Sequence, residues 1–492
     1  MKLPNFPDKP YQLKNFIGNE FIQASGAEFE IHSPHYGKVI GTGKQTTSSD
    51  LENMVSKAKQ AQIAWGNTPI KERTIVLFNL REVLIRRCDE ISEMVSLENG
   101  KTLTEARAGL MKGIEVLEFA LSIQNLDTGA QMEVSRGVTC AYRREASGIV
   151  ANITPFNFPA MVPMWTMPIA LVLGNAYILK PSDKTPLTAS LLAEAFQEAG
   201  LPSGLLAVAH GGVDTVNAII DHPEISAVGF VGSTKIAQIV YERASKNGKK
   251  ILALGGAKNH IILLPDADPE VSGVGISDSF TGCAGQRCMA ASVLLAVGEV
   301  GDQIAKIKSR AESLVLGSDM GALISSEQVE FLKDAISKAE AAGAKIILDG
   351  RNVKAPENCQ SGYWLGPTII EISDQNSEVA TKELFGPILT IYRCDSLSQA
   401  LEIENKNPYG NACSVFTTSG GLAEEVIQKS KAGMVGINIG VPVPREPFSF
   451  GGIEASKFGQ GDITGANSLL LWSHHKKITT KWQMQKDHNW MS

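Results

Sequence analysis

The sequence predicts an α/β protein that is built from two alternating strand–helix units. Short apolar segments alternate with helical patterns between residues 147 and 255, and a second alternation runs from about His260 to about Gly440. Alternation at this spacing is typical of βαβ units and a parallel sheet. The chain has 492 residues, of which 43% are hydrophobic and 20% charged, so it is long enough for two or three domains.

The first 100 residues precede this alternation and follow their own pattern. The segments Phe21–Ile31 and Lys38–Thr46, with turn residues between them, are typical of short strands. Helical periodicity follows over Ser49–Trp65 and Lys71–Asn99. The second helix is predicted to bury an apolar face that consists of Ile75, Leu77, Leu80, Val83, Leu84 and Ile91.

The elements of both alternating units can be placed individually. The helix that begins at Leu187 is predicted to end at Ala199, because Gly200 follows it. The other predicted elements are strands at Gly148–Thr154, Ala176–Lys180, Leu205–Ala209 and Ala227–Val231, and helices at Ser326–Ala342 and Ser398–Asn405. Because ligands prefer the carboxyl ends of such strands and the cleft between domains, we expect the functional site there.

The composition disfavours nucleic-acid and membrane partners. A net charge of −6 offers no basic face to phosphates. Met1–Asn19 lacks the apolar core of a secretory signal, and the longest apolar stretch, Phe158–Leu173, is interrupted by Pro159, Pro163 and Pro168. We therefore expect a soluble, cytoplasmic protein.

The cysteine pattern disfavours disulfides and metal sites. The seven cysteines are odd in number and scattered, and the sequence contains neither a Cys-x-x-Cys pair nor a His-Glu-x-x-His run. No metal is therefore expected. The cysteines are either buried hydrophobic side chains or include one reactive thiol.

Residues 282–290 (Gly-Cys-Ala-Gly-Gln-Arg-Cys-Met-Ala) contain a candidate nucleophile, Cys288. A glycine in this run allows backbone to approach a substrate closely. The neighbouring Arg287 is expected to lower the pKa of the thiol and so to favour the reactive thiolate. The alternative is that Cys283 and Cys288 are two buried structural cysteines.

Polar residues follow several of the predicted strands. Asn157, at the carboxyl end of the first strand of the alternating unit, could donate to a developing oxyanion or could satisfy its own turn. Lys180 could hold a ribose or phosphate, or could be a surface lysine. Gly232-Ser233 opens a helix, which suits a pyrophosphate or a simple N-cap. Residues 382–387 could bind a ribose or form a turn.

These motifs occur together and in order along nearly the whole chain, as residues 155–159 (Pro-Phe-Asn-Phe-Pro), 179–183 (Leu-Lys-Pro-Ser-Asp), 230–233 (Phe-Val-Gly-Ser), 285–288 (Gly-Gln-Arg-Cys) and 383–387 (Glu-Leu-Phe-Gly-Pro). In this combination the sequence resembles the aldehyde dehydrogenase superfamily. The resemblance implies two Rossmann-like α/β domains with a small β oligomerisation arm. It also implies NAD binding without the usual Gly-x-Gly-x-x-Gly fingerprint, which is absent here.

The resemblance implies a role for each motif residue. Cys288 would be the nucleophile, and Asn157 would form the oxyanion hole together with the Cys288 backbone amide. The implied NAD contacts are Lys180 with the adenosine ribose, Ser233 with the pyrophosphate, Glu383 with the nicotinamide ribose and Phe385 beside the nicotinamide. Phe156, Ser182, Asp183 and Gly232 complete the implied cofactor site, although many members carry Glu in place of Asp183.

A closer resemblance is to the CoA-acylating methylmalonate-semialdehyde dehydrogenase branch, through residues 155–159, 256–260 (Gly-Ala-Lys-Asn-His) and 285–290. Most aldehyde dehydrogenases carry a Glu-Leu-Gly-Gly-Lys run, whose Glu activates the hydrolytic water. Here residues 253–258 are Ala-Leu-Gly-Gly-Ala-Lys, which puts Leu254 or Ala253 at the Glu position. A general base contributes about 10²–10⁴-fold to a proton transfer, so hydrolysis of the thioester should be slow. Coenzyme A is therefore the expected acyl acceptor, since a thiol is already partly ionised near neutrality.

The branch acts on malonate or methylmalonate semialdehyde, releases the carboxylate as CO₂, and gives acetyl-CoA or propionyl-CoA. Such a substrate needs a cation in the pocket, for which Arg287 is the candidate; the alternative for Arg287 is an ion pair within the protein. The second arginine of the branch is replaced by Lys112, which cannot make a planar fork. Residues 441–447 place an Arg-Glu pair in a stretch that is usually less charged in the branch.

The resemblance also implies domain boundaries and an assembly. Residues 1–120 and 142–255 would form the NAD-binding domain, 256–455 the catalytic domain, and 121–141 with 468–492 the oligomerisation arm. We expect a homo-oligomer, either a dimer or a tetramer, with a semialdehyde and CoA as its small-molecule partners. The alternatives are a hydrolytic NAD(P)-dependent aldehyde dehydrogenase that gives a free acid, or a non-catalytic NAD-binding relative.

Overall fold

The computed structural model describes residues 3–127 and 129–482. Its elements as far as residue 146 are β1 (Tyr11–Gln12), β2 (Asn15–Ile17), β3 (Glu20–Ile22), β4 (Glu28–Ser33), β5 (Lys38–Lys44), α1 (Ser48–Asn67), α2 (Ile70–Arg86), α3 (Cys88–Asn99), α4 (Leu103–Leu126), β6 (Ala130–Ser135) and β7 (Val138–Ala146). Those of the first alternating unit are β8 (Ile149–Ile153), α5 (Met161–Val172), β9 (Ala176–Lys180), α6 (Leu187–Glu198), β10 (Leu206–Val208), α7 (Val213–Asp221), β11 (Ile225–Val231), α8 (Thr234–Lys246) and β12 (Lys250–Leu254).

The second alternating unit continues the α/β pattern. Its elements are β13 (Asn259–Leu263), α9 (Pro269–Thr281), β14 (Ala291–Val297), α10 (Gly301–Glu312), α11 (Ser326–Ala341), β15 (Lys345–Leu348), β16 (Thr368–Ile372), α12 (Glu378–Thr381), β17 (Ile388–Cys394), α13 (Leu397–Lys406), β18 (Tyr409–Gly410), β19 (Ala412–Phe416), α14 (Gly420–Lys429), β20 (Met434–Ile437), β21 (Ile453–Glu454), β22 (Lys457–Gly459), α15 (Leu469–Trp472) and β23 (Ser473–Lys481). The predicted α/β class is confirmed.

The N-terminal third differs from its prediction in two places. The segment predicted as one strand over Phe21–Ile31 forms β3 and β4 with a turn between them, and the helix predicted over Lys71–Asn99 is divided into α2 and α3 at Arg87. Ile75 is 56% exposed, whereas the rest of the predicted apolar face is buried. The reason is geometric, since residues two apart on a helix point about 200° from each other, which sets Ile75 opposite Leu77.

The first sheet has the strand order β22-β12-β11-β8-β9-β10-β2-β3. Its central strands, from β12 to β10, are parallel, and each of β8 and β9 is buried along its whole length. Continuous apolar strands of this kind are typical of parallel sheets that are covered on both faces. The apolar stretch Phe158–Leu173 contains α5, which is buried in this core. None of the described helices is long and apolar enough to cross a membrane.

The second sheet has the order β15-β16-β17-β14-β13-β19-β20, and its strands are parallel except for β15. The chain passes from the first sheet to the second between β12 and β13, through residues 255–258. The carboxyl ends of β8, β9, β11 and β12 face the cleft that this crossing creates. This arrangement positions the site.

An antiparallel sheet in the order β23-β7-β6 lies at the predicted arm. The predicted start at residue 121 falls inside α4, because buried Leu121 and Ile123 continue the apolar face of that helix to Leu126. Strand β7 also extends beyond residue 141, to Ala146. Residue 128 and residues 483–492, which belong to the predicted arm, lie outside the described residues.

Candidate active site

A cleft of about 530 Å³ opens at the carboxyl ends of β8, β9, β11 and β12. The predicted nucleophile Cys288 and the predicted oxyanion donor Asn157 both line it. All of the predicted cofactor residues line the same cleft, namely Phe156, Lys180, Ser182, Asp183, Gly232, Ser233, Glu383 and Phe385. The tertiary structure therefore brings together residues that lie more than 200 positions apart in the sequence.

The N-terminus of α8 borders the cleft and has no side-chain cap. Ser233 occupies the N-cap position, but its side chain makes no capping hydrogen bond. Thr234 is also engaged elsewhere, because its Oγ1 accepts from Gly256 N at 2.8 Å and donates to Ala455 O at 3.2 Å. The capping alternative is therefore wrong for both side chains. Helix amides without a cap, at the positive end of the helix dipole, suit the pyrophosphate of a dinucleotide.

Lys180 ends β9 as a buried cation rather than a surface lysine. Its side chain lines the cleft and has no carboxylate within 4.0 Å among the described residues. Burial lowers the pKa of Lys180 to about 8, and the charge of Asp183 opposes this effect. A buried ammonium without a protein partner fits a polar or anionic group of a bound cofactor.

Glu383 approaches the crossing between the two sheets. Its Oε1 accepts from Ala257 N at 2.9 Å, and a Cβ on Gly256 would lie 2.2 Å from its Oε2. Burial raises the pKa of Glu383, whereas the hydrogen bond from Ala257 N and the charge of Lys258 lower it. Phe385 has a φ of 56° and meets the ring of Phe156 edge to face, with 5.8 Å between the ring centroids. These residues fit a ribose and an aromatic ring at this end of the cleft.

The loop before Cys288 has a constrained backbone. Cys283, Ala284 and Gly285 have consecutive φ values of 52°, 51° and 69°, in the left-handed region. Only glycine fits at position 285, since a Cβ there would lie 2.1 Å from Gly386 O. Positive φ costs a non-glycine residue free energy, and such strain is concentrated at functional sites. Cys288, three residues after Gly285, lies where the cleft meets a second cavity of about 380 Å³.

The Cys288 thiol is less acidic than expected. Burial and, second, the charge of Glu383 raise its pKa to about 12, although Arg287 lowers it. Arg287 thus acts in the expected direction, but its effect is outweighed in this arrangement. The physical reason is that desolvation penalises the charged form more than one arginine stabilises it.

Asn157 lines the cleft with Cys288 and has one side-chain donor without a described protein partner. Its Nδ2 donates to Gln286 O at 3.0 Å, which leaves the second N–H of the amide for another acceptor. Its backbone oxygen accepts from Lys101 Nζ at 2.6 Å. Asn157 is thus oriented by the nucleophile loop rather than by its own turn.

Arg287 and Lys112 both line the second cavity, but their charges differ in availability. Arg287 Nη2 donates to the backbone oxygens of Asp278 and Ser279 at the end of α9, and no described carboxylate lies within 4.0 Å of the guanidinium. The alternative of an ion pair within the protein is therefore wrong. Lys112, in contrast, is paired with Glu446 at 2.8 Å and with Glu115 at 3.1 Å.

The described carboxylates near Cys288 are all engaged. Glu105 Oε1 accepts from Cys283 N at 2.5 Å, and its Oε2 accepts from the Thr102 amide and hydroxyl, each at 3.0 Å. Glu383 is held by Ala257 N. Ala253 and Leu254, which the sequence aligns with the usual base, are buried apolar residues of β12.

Sequence reasoning missed two residues beside Cys283, and it noted a third, Arg445, only as part of the charged pair in residues 441–447. Lys101 is buried, contacts Cys283 Sγ at 3.9 Å, and lies 3.9 Å from the ring centroid of Phe158. Glu105 joins the capping box of α4 to the nucleophile loop. Arg445 lines the second cavity. The charged pair in residues 441–447 was a signal for Arg445, whereas no local pattern indicates the other two residues. Among the described residues, no cluster of side chains has the arrangement of a metal site.

Comparison with known proteins identifies the family. The model of the aldehyde dehydrogenase family matches residues 21–478. Malonate-semialdehyde dehydrogenase 1 of Geobacillus thermodenitrificans is 37% identical over 479 residues, which cover 96% of this chain and 99% of that protein. A malonate-semialdehyde dehydrogenase of Lacticaseibacillus casei is 39% identical over 483 residues, covering 96% and 98%. This chain therefore belongs to the aldehyde dehydrogenase family.

Solved structures agree with this assignment. The methylmalonate-semialdehyde dehydrogenase of Oceanimonas doudoroffii superposes with a TM-score of 0.94 at 34% identity, and the match covers 96% of this chain and 99% of that one. A Sinorhizobium meliloti protein in complex with NAD superposes with a TM-score of 0.95 at 37% identity, covering 97% and 99%. The predicted aldehyde dehydrogenase fold and the resemblance to the methylmalonate-semialdehyde dehydrogenase branch are confirmed.

Proposed function

We propose that this protein oxidises malonate or methylmalonate semialdehyde with NAD and transfers the decarboxylated acyl group to coenzyme A. The products are acetyl-CoA or propionyl-CoA. One observation carries the proposal: Cys288 lies where a nucleotide-sized cleft meets a second cavity. That cavity is lined by Arg287, whose guanidinium has no ion pair with any described carboxylate. The names and coverage of the relatives support the same substrates.

The chain's own residues account for the acylation half of the reaction. The Cys288 thiol gives its proton to solvent, the thiolate sulfur then bonds to the aldehyde carbon, and the electron pair of the carbonyl bond moves to the oxygen, which becomes an oxyanion. The spare N–H of Asn157 and the Cys288 backbone amide donate to that oxyanion, and one such donor is worth about 2.7–4 kcal/mol to a transition state. NAD, held by Lys180, the α8 amides and Glu383, supplies the hydride acceptor when bound. Loss of hydride from the oxidised carbon leaves a thioester on Cys288.

The acyl group then leaves without a strong base. The bond between the α-carbon and the carboxylate breaks, its electron pair enters the thioester, and CO₂ departs before the α-carbon takes a proton. Among the described residues, both oxygens of Glu105 and one oxygen of Glu383 accept hydrogen bonds from the protein, and positions 253 and 254 are apolar, so water finds little general-base assistance. The thiol of CoA ionises more readily than water, so thiolysis is favoured over hydrolysis.

The test is NADH formation from malonate semialdehyde by purified protein, with and without CoA. With CoA we expect steady turnover with acetyl-CoA and CO₂ as products. Without CoA we expect a burst of about one NADH per Cys288, followed by a stall while the thioester persists. Equal steady turnover without CoA, with a free acid as product, would show a hydrolytic enzyme and overturn the CoA step. A Cys288→Ser variant is the control for the burst.

We further propose that the protein is a homo-oligomer, a dimer or a tetramer, assembled through the β23-β7-β6 arm. Strand β6 is exposed along its whole length and carries the apolar side chains Met132 and Val134. An exposed strand with apolar side chains favours pairing with another chain. Sedimentation analysis of the protein and of a Met132→Lys/Val134→Lys variant tests this. If the variant forms an assembly of the same mass as the wild-type protein, assembly through the arm is contradicted. A cytoplasmic location stays a prediction.

A further inference from the structure

The second cavity offers a substrate three cations of unequal availability. Lys112, Arg287 and Arg445 line it, together with an apolar wall that includes Phe158, Trp165 and Phe450. An apolar wall strengthens any charge pairing inside the cavity. The question is which cations remain free for a carboxylate.

Lys112 is already neutralised. Glu446 lies 2.8 Å from its Nζ, Glu115 lies 3.1 Å away, and the Glu446 side chain is only 8% exposed. Two carboxylates therefore surround one ammonium, and a substrate anion would be repelled rather than attracted at this point. The pair instead ties α4 to the loop of residues 441–447.

Arg445 has the opposite character. Val441, Val443 and Arg445 line the cavity in alternation, with proline at 442 and 444 between them. Proline restricts its own backbone and that of the preceding residue to extended conformations. The backbone that carries Val441, Val443 and Arg445 is therefore restricted in conformation. Among the described residues, Arg445 has no ion pair and no side-chain hydrogen bond, and its side chain is exposed at the cavity rim.

We propose that Arg445, acting with Arg287, binds the substrate's carboxylate, and that Lys112, which is neutralised by Glu446 and Glu115, does not. This proposal rests on the proposed function, whose substrate is a carboxylated semialdehyde. The planar guanidinium can pair with both carboxylate oxygens, which the ammonium of Lys112 cannot do in any case. In this proposal the second carboxylate-binding cation is Arg445 of the loop 441–447, and not the residue at position 112 of α4.

The test uses malonate and succinate as probes, because they carry the carboxylate and cannot be oxidised. Each anion is titrated for its ability to protect Cys288 from iodoacetamide, followed by mass spectrometry of the peptide that contains Cys288. Loss of a charge-assisted hydrogen bond is expected to weaken protection by about 10- to 100-fold in Arg445→Met. Partial recovery is expected in Arg445→Lys.

The matched control is Lys112→Met/Glu446→Gln, which removes both members of the buried pair and leaves only Glu115, whose side chain is 42% exposed, without its partner. It should weaken protection less than about threefold, a value near the limit of such titrations. Arg445→Met should also leave kcat/KM for propanal unchanged, since propanal has no carboxylate. A control variant that loses protection while Arg445→Met retains it would overturn the proposal, as would wild-type protein that neither anion protects.

The outcomes separate this proposal from the proposed function. Protection that depends on Arg445, in a protein that forms no NADH from malonate semialdehyde, would leave the carboxylate site standing and remove the proposed reaction. Turnover of the semialdehyde with an unchanged KM in Arg445→Met would leave the reaction standing and remove the role of Arg445.

Discussion

The carboxylate of Glu383 lies against the α-carbon of Gly256, where a Cβ would be 2.2 Å from Oε2. Residue 256 belongs to the crossing between the two sheets, and residue 383 follows the short helix α12 on the other side of the cleft. The absence of a side chain at position 256 therefore permits the two walls of the cofactor cleft to approach each other.

Gly256→Ala should displace Glu383 and weaken NAD binding. Because the contact is closer than any real Cβ contact, the carboxylate must move from Ala257 N, and we expect KM for NAD to rise at least about tenfold, or ~1.4 kcal/mol. Initial rates at varied NAD measure the effect. The control is Gly212→Ala, which lines the same cleft but has open space around its α-carbon. Equal KM values for the two variants would contradict the prediction.

Asn157→Ala should slow acylation much more than it weakens aldehyde binding. The variant lacks the spare N–H that faces the oxyanion, and removal of one such donor costs about 10²–10³-fold in kcat. Single-turnover NADH formation isolates this step. Because Asn157 also donates to Gln286 O, thermal unfolding of the variant must be measured alongside. A fall in rate below about tenfold, in a protein that remains folded, would count against the oxyanion role.

Glu383→Gln should make the Cys288 thiol more reactive. Burial and the Glu383 charge together hold the pKa of Cys288 at about 12, so the thiol is protonated at neutral pH. Removal of the negative charge lowers that pKa, and the thiolate fraction at any pH below it rises. Alkylation of Cys288 by iodoacetamide should be faster in the variant from about pH 7 to about pH 10. In wild-type protein the rate should rise about tenfold per pH unit over that range. A slower variant would show that Glu383 acts on the thiol in another way.

NAD binding should weaken as the pH rises through about 8. The pKa of Lys180 is lowered to about 8 by burial, so the ammonium is charged below this pH and neutral above it. The charged form is the one that attracts the cofactor, which gives the sign of the effect. KM for NAD, measured from about pH 6.5 to about pH 9.5, should therefore increase in the wild-type protein and stay level in Lys180→Met. A wild-type profile that is flat across pH 8 would contradict this role for Lys180.

The sequence by itself determined the α/β class, the strands β8 and β9 and the order of the motifs. Strongly periodic or continuous apolar segments carry this information locally, since a buried strand such as Ala176–Lys180 requires an apolar run. The sequence also showed that no general base is present at positions 253 and 254, because the identity of a residue is known without the structure.

Only the tertiary structure decided what depends on distant neighbours. The raised pKa of Cys288 follows from burial and from the charge of Glu383, nearly 100 residues away. The pairing of Lys112 with Glu446 joins residues 334 positions apart, and the neighbouring Arg445 has no ion pair within the described part of the chain. Charge and burial are sums over contacts that the chain makes only when folded, so no local pattern could supply them.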